Sequence, residues 1–395
     1  MDILKNTQGL CAHCKGKIPS IVYEKDNQIY MDKNCSKHGK TTVLLEKDVF
    51  TYKALMNKKN KKRKIFESFM IAIDHGCNMH CAYCWLPQRK RDDISLKEFE
   101  KQVSSFEGQF IRLSGGEPTL RKDIFEMIRI CRKYNKISVL VTNGILLADK
   151  EYVKKLYEAG LGSVALTINT LNINTYKILN SEDKTFEPKI KAFENLKELG
   201  KIPVSLCITL TKGVNEPEID QLLDFYLENL KTFDAMRLRS SSDAGRILHD
   251  KKLYLSELLK MFAKKYGCNY KVLIKENSEA DMPCSFNTHT YFYVEDNKPV
   301  FLMANKIGFP TPNHAFYLNL MKRIGTIKTL KYLYKIKSGK GIMRQSKLGL
   351  RSHPDRHTIE YNEIDRCPHS HLTMDGEKMP LCQAGIYNNI GMVEL

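Results

Sequence analysis

Three cysteines, Cys77, Cys81 and Cys84, stand in C-x3-C-x2-C spacing within the stretch CNMHCAYC. Three thiolates so placed can hold three irons of a [4Fe–4S] cube and leave the fourth iron open. Electron-transfer clusters use four cysteines, so a missing fourth points to a reaction site. Zinc is the physical rival. It wants four protein ligands, or three plus water, and His75 or His80 could complete the set.

A second motif, LSGGEP (113–118), follows one strand later. Its glycines let the backbone approach a ligand closely, and its carbonyls with Glu117 suit an ammonium group. VTNG (141–144) and LTINT (166–170) end the next two strand candidates and bring small polar groups to the same rim, among them Thr142, Asn143, Thr167 and Asn169. Upstream, Cys11, Cys14, Cys35 and His38 form C-x2-C-x20-C-x2-H, a zinc-ribbon-like spacing for one zinc or iron ion. Gly16 and Gly39 suit tight turns under the metal, and His13 is a competing ligand. Cys284, Cys367 and Cys382 lie far downstream and are candidates for an auxiliary Fe–S cluster, with Cys268 as a fourth. Cys131 and Cys207 read as core residues.

These residues need elements to hold them. Short apolar runs at 68–73, 109–113, 137–141, 163–168, 202–208 and 234–238 read as strands buried on both faces. Helices fall between them. Ser95 and Glu98 form a capping box before the apolar face of Phe99, Val103 and Phe106. Ile190, Phe193, Leu196 and Leu199 make another face, stopped by Gly200. Asn215, Pro217 and Glu218 start a third helix. The fold class is α/β, a partial (β/α)6 TIM-like barrel, because six βα units fall short of a closed eight-stranded one. The cysteine loop follows the first strand directly, at the end where such folds place their chemistry. Residues 1–64 form a small ββ metal-binding module and a basic linker, KKNKKRK (58–64). Residues 65–246 form the core, and residues 247–395 an α+β extension in which DGE (375–377) marks a hairpin turn.

The chain has 395 residues, twelve cysteines and a net charge of +18. No apolar run is long enough to span a membrane, and the first residues lack the apolar region of a signal peptide. The cytoplasm is the expected compartment, where thiols stay reduced and serve metals better than disulfides. The charge favours anionic partners. Asn297 to Pro354 holds no acidic residue, and 322–354 mixes lysine and arginine with Leu330, Tyr332, Leu333, Tyr334 and Ile336. As a helix this stretch would suit an anionic membrane surface or RNA; it would equally suit a solvated basic face.

Together the C-x3-C-x-aromatic-C loop, the GGE turn and the βα rhythm resemble the radical S-adenosylmethionine (SAM) superfamily. The resemblance implies that Cys77, Cys81 and Cys84 hold the catalytic [4Fe–4S] cluster. It places Tyr83 near adenine and Ser114, Gly115, Gly116 and Glu117 at the methionine amino group. Thr167 and Asn169 would lie near ribose or carboxylate. Arg237, Arg239 or Arg246 would meet an anionic substrate or the SAM carboxylate, with Arg239 the candidate for the latter. The knuckle and the C-terminal "RC.H….DG…P.C" segment resemble a branch that includes tetraether lipid synthases and a dihydropterin methyltransferase. The implied activity is reductive SAM cleavage to a 5′-deoxyadenosyl radical and C–H activation, for methylation or carbon–carbon bond formation on a lipid or small molecule. A ferredoxin or flavodoxin would supply the electron. Modification of a ribosomal peptide or RNA, and a non-catalytic metal protein that docks nucleic acid, are the other readings.

Overall fold

The computed structural model describes residues 2–56, 68–84, 93–180, 183–242, 252–276, 284–296, 298–305, 314–365, 367, 370–372, 378–380, 382–383 and 386. The 58–64 linker, Arg246 and the 375–377 turn lie outside the described residues.

Four strands come first: β1 (Asp2–Leu10), β2 (Lys17–Lys25), β3 (Gln28–Cys35) and β4 (Gly39–Glu46), an antiparallel sheet in sequence order. The expected hairpin is β2–β3. Its turn residues Asp26 and Asn27 both take positive φ, 51° and 57°, as a two-residue loop matched to strand twist requires. The module is larger than the ββ unit read from sequence, because β1 and β4 flank that hairpin. Helix α1 (Val49–Met56) covers Val22, Ile29 and Met31 with Val49 and Tyr52.

The core alternates β5 (Ser68–Asp74), α2 (Leu96–Ser105), β6 (Phe110–Gly115), α3 (Ile124–Lys133), β7 (Ile137–Thr142), α4 (Lys150–Ala159), β8 (Ser163–Thr167), α5 (Ile173–Asn180), α6 (Phe186–Leu199), β9 (Val204–Leu210), α7 (Ile219–Glu228) and β10 (Phe233–Ser240). Strands β5 to β10 pair in parallel and in order, as the six apolar runs require. Ser95 Oγ accepts the Glu98 N–H and starts α2, whose Phe99 and Val103 are fully buried. Gly200 ends α6 in a left-handed conformation, φ 61°.

Beyond the core lie α8 (Leu255–Lys265), α9 (Tyr270–Glu276), β11 (Ser285–Glu295), β12 (Lys298–Asn305), α10 (His314–Ile324), α11 (Thr326–Lys337), β13 (Ile342–Arg351), α12 (Tyr361–Ile364), β14 (Ser370–Leu372) and β15 (Lys378–Pro380). Strand β13 adds in parallel to β10, and β14 adds in parallel to β5. The eleven-stranded sheet runs β12-β11-β13-β10-β9-β8-β7-β6-β5-β14-β15 and does not close. Both flanks of the six-unit core are thus paired by the extension, which removes two exposed edges. The basic stretch is not one helix. Lys322 and Arg323 end α10, Lys328 to Lys337 lie on α11, and Arg344, Lys347 and Arg351 lie on β13. Tyr332 and Ile336 pack inward on the Tyr291, Tyr293 and Phe316 cluster, whereas Leu330 and Tyr334 are exposed. Among the described residues no helix is long and apolar enough to cross a membrane.

The first sheet leans on the extension. Buried Lys33 donates from Nζ to the carbonyls of Leu10 (3.2 Å) and His357 (2.9 Å). Lys5 pairs with Glu360 and Glu363, and Leu10 sits in a cluster with Ile359, Tyr361, Ile364, Cys382 and Ile386.

Candidate active site

Strand β5 ends at Asp74, and the loop after it carries Cys77, Cys81 and Cys84, all half-buried. Backbone bonds hold the loop on several sides. Gly116 N–H donates to Asp74 O (3.0 Å) and Glu117 N–H to Gly76 O (2.7 Å). Ala82 N–H donates to Leu179 O at the end of α5 (2.8 Å), and Tyr83 Oη donates to Asn180 Oδ1 (3.3 Å). Asn143 Nδ2 donates to Asn78 Oδ1 (2.8 Å) and lies 4.0 Å from Cys77 Sγ.

The glycines of the GGE turn have a use that the sequence hides. A Cβ on Gly116 would lie 1.8 Å from the Gly76 carbonyl oxygen, and one on Gly115, at φ 132°, 2.3 Å from the Asp74 carbonyl oxygen. Both glycines therefore let the turn dock onto the backbone that feeds the cysteine loop. Glu117 is buried, and protein donors already meet its carboxylate. Oε1 accepts from Thr119 N (3.2 Å), Thr119 Oγ1 (2.6 Å) and Thr142 Oγ1 (2.6 Å), and Oε2 accepts from Asn143 N (2.7 Å). Asn169 Oδ1 likewise accepts from Thr209 N (2.7 Å). Glu117, Thr142 and Asn169 thus tie strand ends together, while the half-buried Ser114 and Thr167 stay at the rim.

Lys189 on α6 is a group the sequence did not reveal. It is buried, and its Nζ donates to Asn143 O (2.7 Å). Burial pushes its pKa down to about 8, against the pull of Cys81, Glu117 and Cys77. Burial raises the Cys81 thiol, offset in part by a hydrogen bond with Tyr83 and by Lys189. A lysine in a helix reads as solvated surface. The hint was its helical spacing to the buried face, three and four residues before Ala192 and Phe193 and seven before Leu196.

The donor set suits the group its spacing implies. Three thiols on one pinned loop, beside a buried cation that offsets negative charge, fit an anionic Fe–S cluster. Among the described residues the ligands that all lie within 4.8 Å of one another are Cys11, Cys14, Cys35 and His38. Cys77, Cys81 and Cys84 form no such group, with one another or with His75 and His80, and His80 is exposed, so the loop is not drawn to the size of a single ion.

The ribbon group has the size of a single ion. Zn–S bonds of about 2.3 Å in a tetrahedron put sulfurs about 3.8 Å apart. Cys14 Sγ and Cys35 Sγ are 3.7 Å apart, and His38 Nδ1 lies 3.4 Å from Cys35 Sγ and 3.6 Å from Cys11 Sγ. His13 stacks on His38 with ring centroids 5.1 Å apart and stays out of the ligand group. Gly39 takes the expected positive φ, 75°, but in the first knuckle Lys15 does so (60°), not Gly16.

Cys284, Cys367 and Cys382 line one cavity, with Lys252, Ser352 and Glu360 among its walls. Burial pushes the Cys284 thiol up to about 12, and His353 Nδ1 lies 3.2 Å from Cys382 Sγ. Cys268 packs against the main core and is not among the cavity's lining residues. His353, which no local motif announced, brings a ring nitrogen to one of these thiols. Cys131 is buried in the core as expected. Cys207 is buried too, but in a separate cluster with Val139 and Ala165.

Residues 71–226 match the model of the radical SAM superfamily, and residues 3–47 match that of the HMPTM N-terminal zinc ribbon domain. Methanocaldococcus jannaschii 7,8-dihydro-6-hydroxymethylpterin dimethyltransferase is 28% identical over 276 residues, 62% of this chain and 54% of that protein. A probable GTP 3′,8-cyclase of Archaeoglobus fulgidus is 30% identical over 172 residues, 42% of this chain and 57% of that one. The structure of Streptococcus suis SuiB bound to precursor peptide SuiA aligns with a TM-score of 0.43 at 20% identity, over 53% of this chain and 49% of that one. The chain spans about half the length of the curated relatives it matches.

Proposed function

We propose, for a chain that carries a radical SAM domain at residues 71–226 and a zinc ribbon at 3–47, that Cys77, Cys81 and Cys84 hold a [4Fe–4S] cluster and that the rim of Ser114, Gly115, Gly116, Thr167 and Arg239 receives SAM. When bound, the pair supplies a 5′-deoxyadenosyl radical able to take hydrogen from an unreactive carbon. The chain's own contribution is placement. The GGE turn locks the cysteine loop onto β5, Asn143 and Lys189 approach the thiols, and Tyr83 closes the side facing α5. The observation that carries the reading is this docking of turn on loop, with three half-buried thiols directly after the first parallel strand. The substrate reading is methylation or carbon–carbon bond formation on a small molecule or lipid, supported by the dimethyltransferase relative. A ferredoxin- or flavodoxin-type reductant supplies the electron. Cys284, Cys367 and Cys382 hold an auxiliary Fe–S group, with His353 beside Cys382 as a further donor.

The test is anaerobic reconstitution with iron and sulfide, then dithionite and SAM, with 5′-deoxyadenosine measured by mass spectrometry. Wild-type protein should form it and Cys81→Ala should not. A correctly loaded wild-type cluster that leaves SAM intact, or equal turnover by the Cys81 variant, would overturn the reading.

A further inference from the structure

Strand alternation sends two sets of side chains to opposite sides of the parallel sheet. Ile111, Leu113, Met236, Leu238 and Leu350 belong to the core under the helices. Their neighbours in sequence, Arg112 on β6, Arg237 and Arg239 on β10 and Arg351 on β13, therefore face the other side, where Val139, Ala165 and Cys207 form a small apolar floor. Arg239 and Arg351 are direct cross-strand partners. Arg237 stands between Cys207 on β9 and Gly349 on β13, a position without a side chain. Arg112 comes from the far flank of the core, yet its electrostatic neighbours are Arg237, Arg351 and Arg239. The sheet curls enough for the two flanks to face each other.

Like charges side by side on a sheet oppose folding, and buried charges are normally paired. Here four half-buried arginines gather on one side of the sheet. Burial and then the neighbouring arginines push Arg112 down to about 9, while Arg351 meets Arg239 and Arg237 on one side and the Cys284 and Cys382 thiols on the other. The acidic groups near Arg237 are the Cys207 thiol and Asp234, at the entry end of β10. Nε of Arg237 and Nε of Arg239 are buried without a partner, while Arg112 Nε donates to Ser68 Oγ (3.1 Å). With Arg239 assigned to the SAM carboxylate, three guanidinium groups still converge on this side of the sheet. Their planar forks match the oxygens of a phosphate better than a lone carboxylate needs.

We propose that the substrate carries a phosphate or diphosphate group, held inside the curved sheet by Arg112, Arg237 and Arg351. This rests on the enzyme reading above and adds its substrate class. The anchored phosphate would fix the reacting carbon relative to the cofactor rim at the strand ends.

The probe is inorganic pyrophosphate, titrated calorimetrically into reconstituted, SAM-bound, unreduced protein. Wild type should bind one equivalent. Arg237→Gln and Arg351→Gln should each weaken binding tenfold or more, since a hydrogen bond to a charged group accounts for about that factor. Arg237→Lys should recover part of it, and the α11 double variant Lys328→Gln/Lys331→Gln should bind like wild type. No saturable binding, or binding lost only in the α11 variant, would overturn the proposal. If the arginine variants do not fold, pyrophosphate should protect Arg237 and Arg351 of wild type from phenylglyoxal, mapped by mass spectrometry; unprotected arginines would overturn it equally. Vesicles containing phosphatidic acid separate the sources. Pyrophosphate-sensitive co-sedimentation selects a lipid headgroup, and its absence selects a soluble phosphoester. Wild type that cleaves SAM while its pyrophosphate binding ignores the arginines would sink this proposal and leave the enzyme reading standing. Arginine-dependent pyrophosphate binding by a correctly loaded protein that leaves SAM intact would overturn the enzyme reading and the substrate role with it, leaving an anion site alone.

Discussion

Glu117→Gln tests whether the GGE carboxylate is a clasp or a ligand. A glutamine has one carbonyl oxygen. Turned toward Thr119 and Thr142, it keeps the bonds now made by Oε1. Its amide nitrogen then replaces Oε2 and faces the Asn143 N–H, which now donates at 2.7 Å. Two donors would oppose each other in a buried site. One hydrogen bond to a charged acceptor is lost and one backbone N–H is stranded, a cost of about 2–4 kcal/mol. At ~2–4 °C per kcal/mol the melting temperature should fall by about 5 °C or more. The assay is thermal unfolding of protein without added SAM, together with iron content after reconstitution, because the same turn holds the loop of Cys77. Unchanged melting would refute the clasp. Unchanged melting with weaker SAM binding would return the carboxylate to the ligand role read from the sequence.

Gly116→Ala should fail to retain loop iron after reconstitution, since its Cβ would meet Gly76 O at 1.8 Å and overpacking against backbone costs about 1–3 kcal/mol or more; full iron loading would contradict the docking. Cys35→Ala should lose one metal per chain by elemental analysis and melt earlier, yet keep the iron at the 77/81/84 loop, and retention of the ribbon metal would remove Cys35 from the ligand set. Burial, then Glu117 and Asp93, raise the Asp74 carboxyl from 3.8 to about 7, and its Oδ1 is buried without a partner. The folded state then keeps a proton that the unfolded chain has released, so this group's contribution falls as pH rises from about 4 to 7. Asp74→Asn should remove that slope, gaining stability over wild type through the window and holding a constant lead above it; a lead independent of pH would count against the shift.

The parallel core was legible because strands buried on both faces write themselves as apolar runs; β5 to β10 begin and end within a few residues of those runs. The gathering of Cys11, Cys14, Cys35 and His38 was legible from spacing alone. The ribbon's outer strands were not, because DILKNTQGL and GKTTVLLE carry too little alternation to stand apart from loops. The candidate site was legible in the types and spacing of its residues and obscure in its supports. Cys77, Gly116 and Glu117 announced themselves by pattern, but the work of Gly116 and Glu117 depends on contacts with Gly76, Thr142 and Asn143 that only the register of three strands creates. Lys189, His353 and Arg351 belong to no motif. Each looks like surface in sequence; Lys189 and His353 become interior, and Arg351 half-buried, through long-range packing such as the joining of β13 to β10.

The bond from Lys33 to the His357 carbonyl spans 324 positions of chain. During synthesis the ribbon can close on its ion early, yet the surface around Leu10 waits uncovered until that distant segment emerges. The wall of the cysteine cavity that includes Glu360 and Cys382 is therefore built long after the ribbon, and a ribosome that stalls before it would release a chain whose first sheet is metallated but unsheltered.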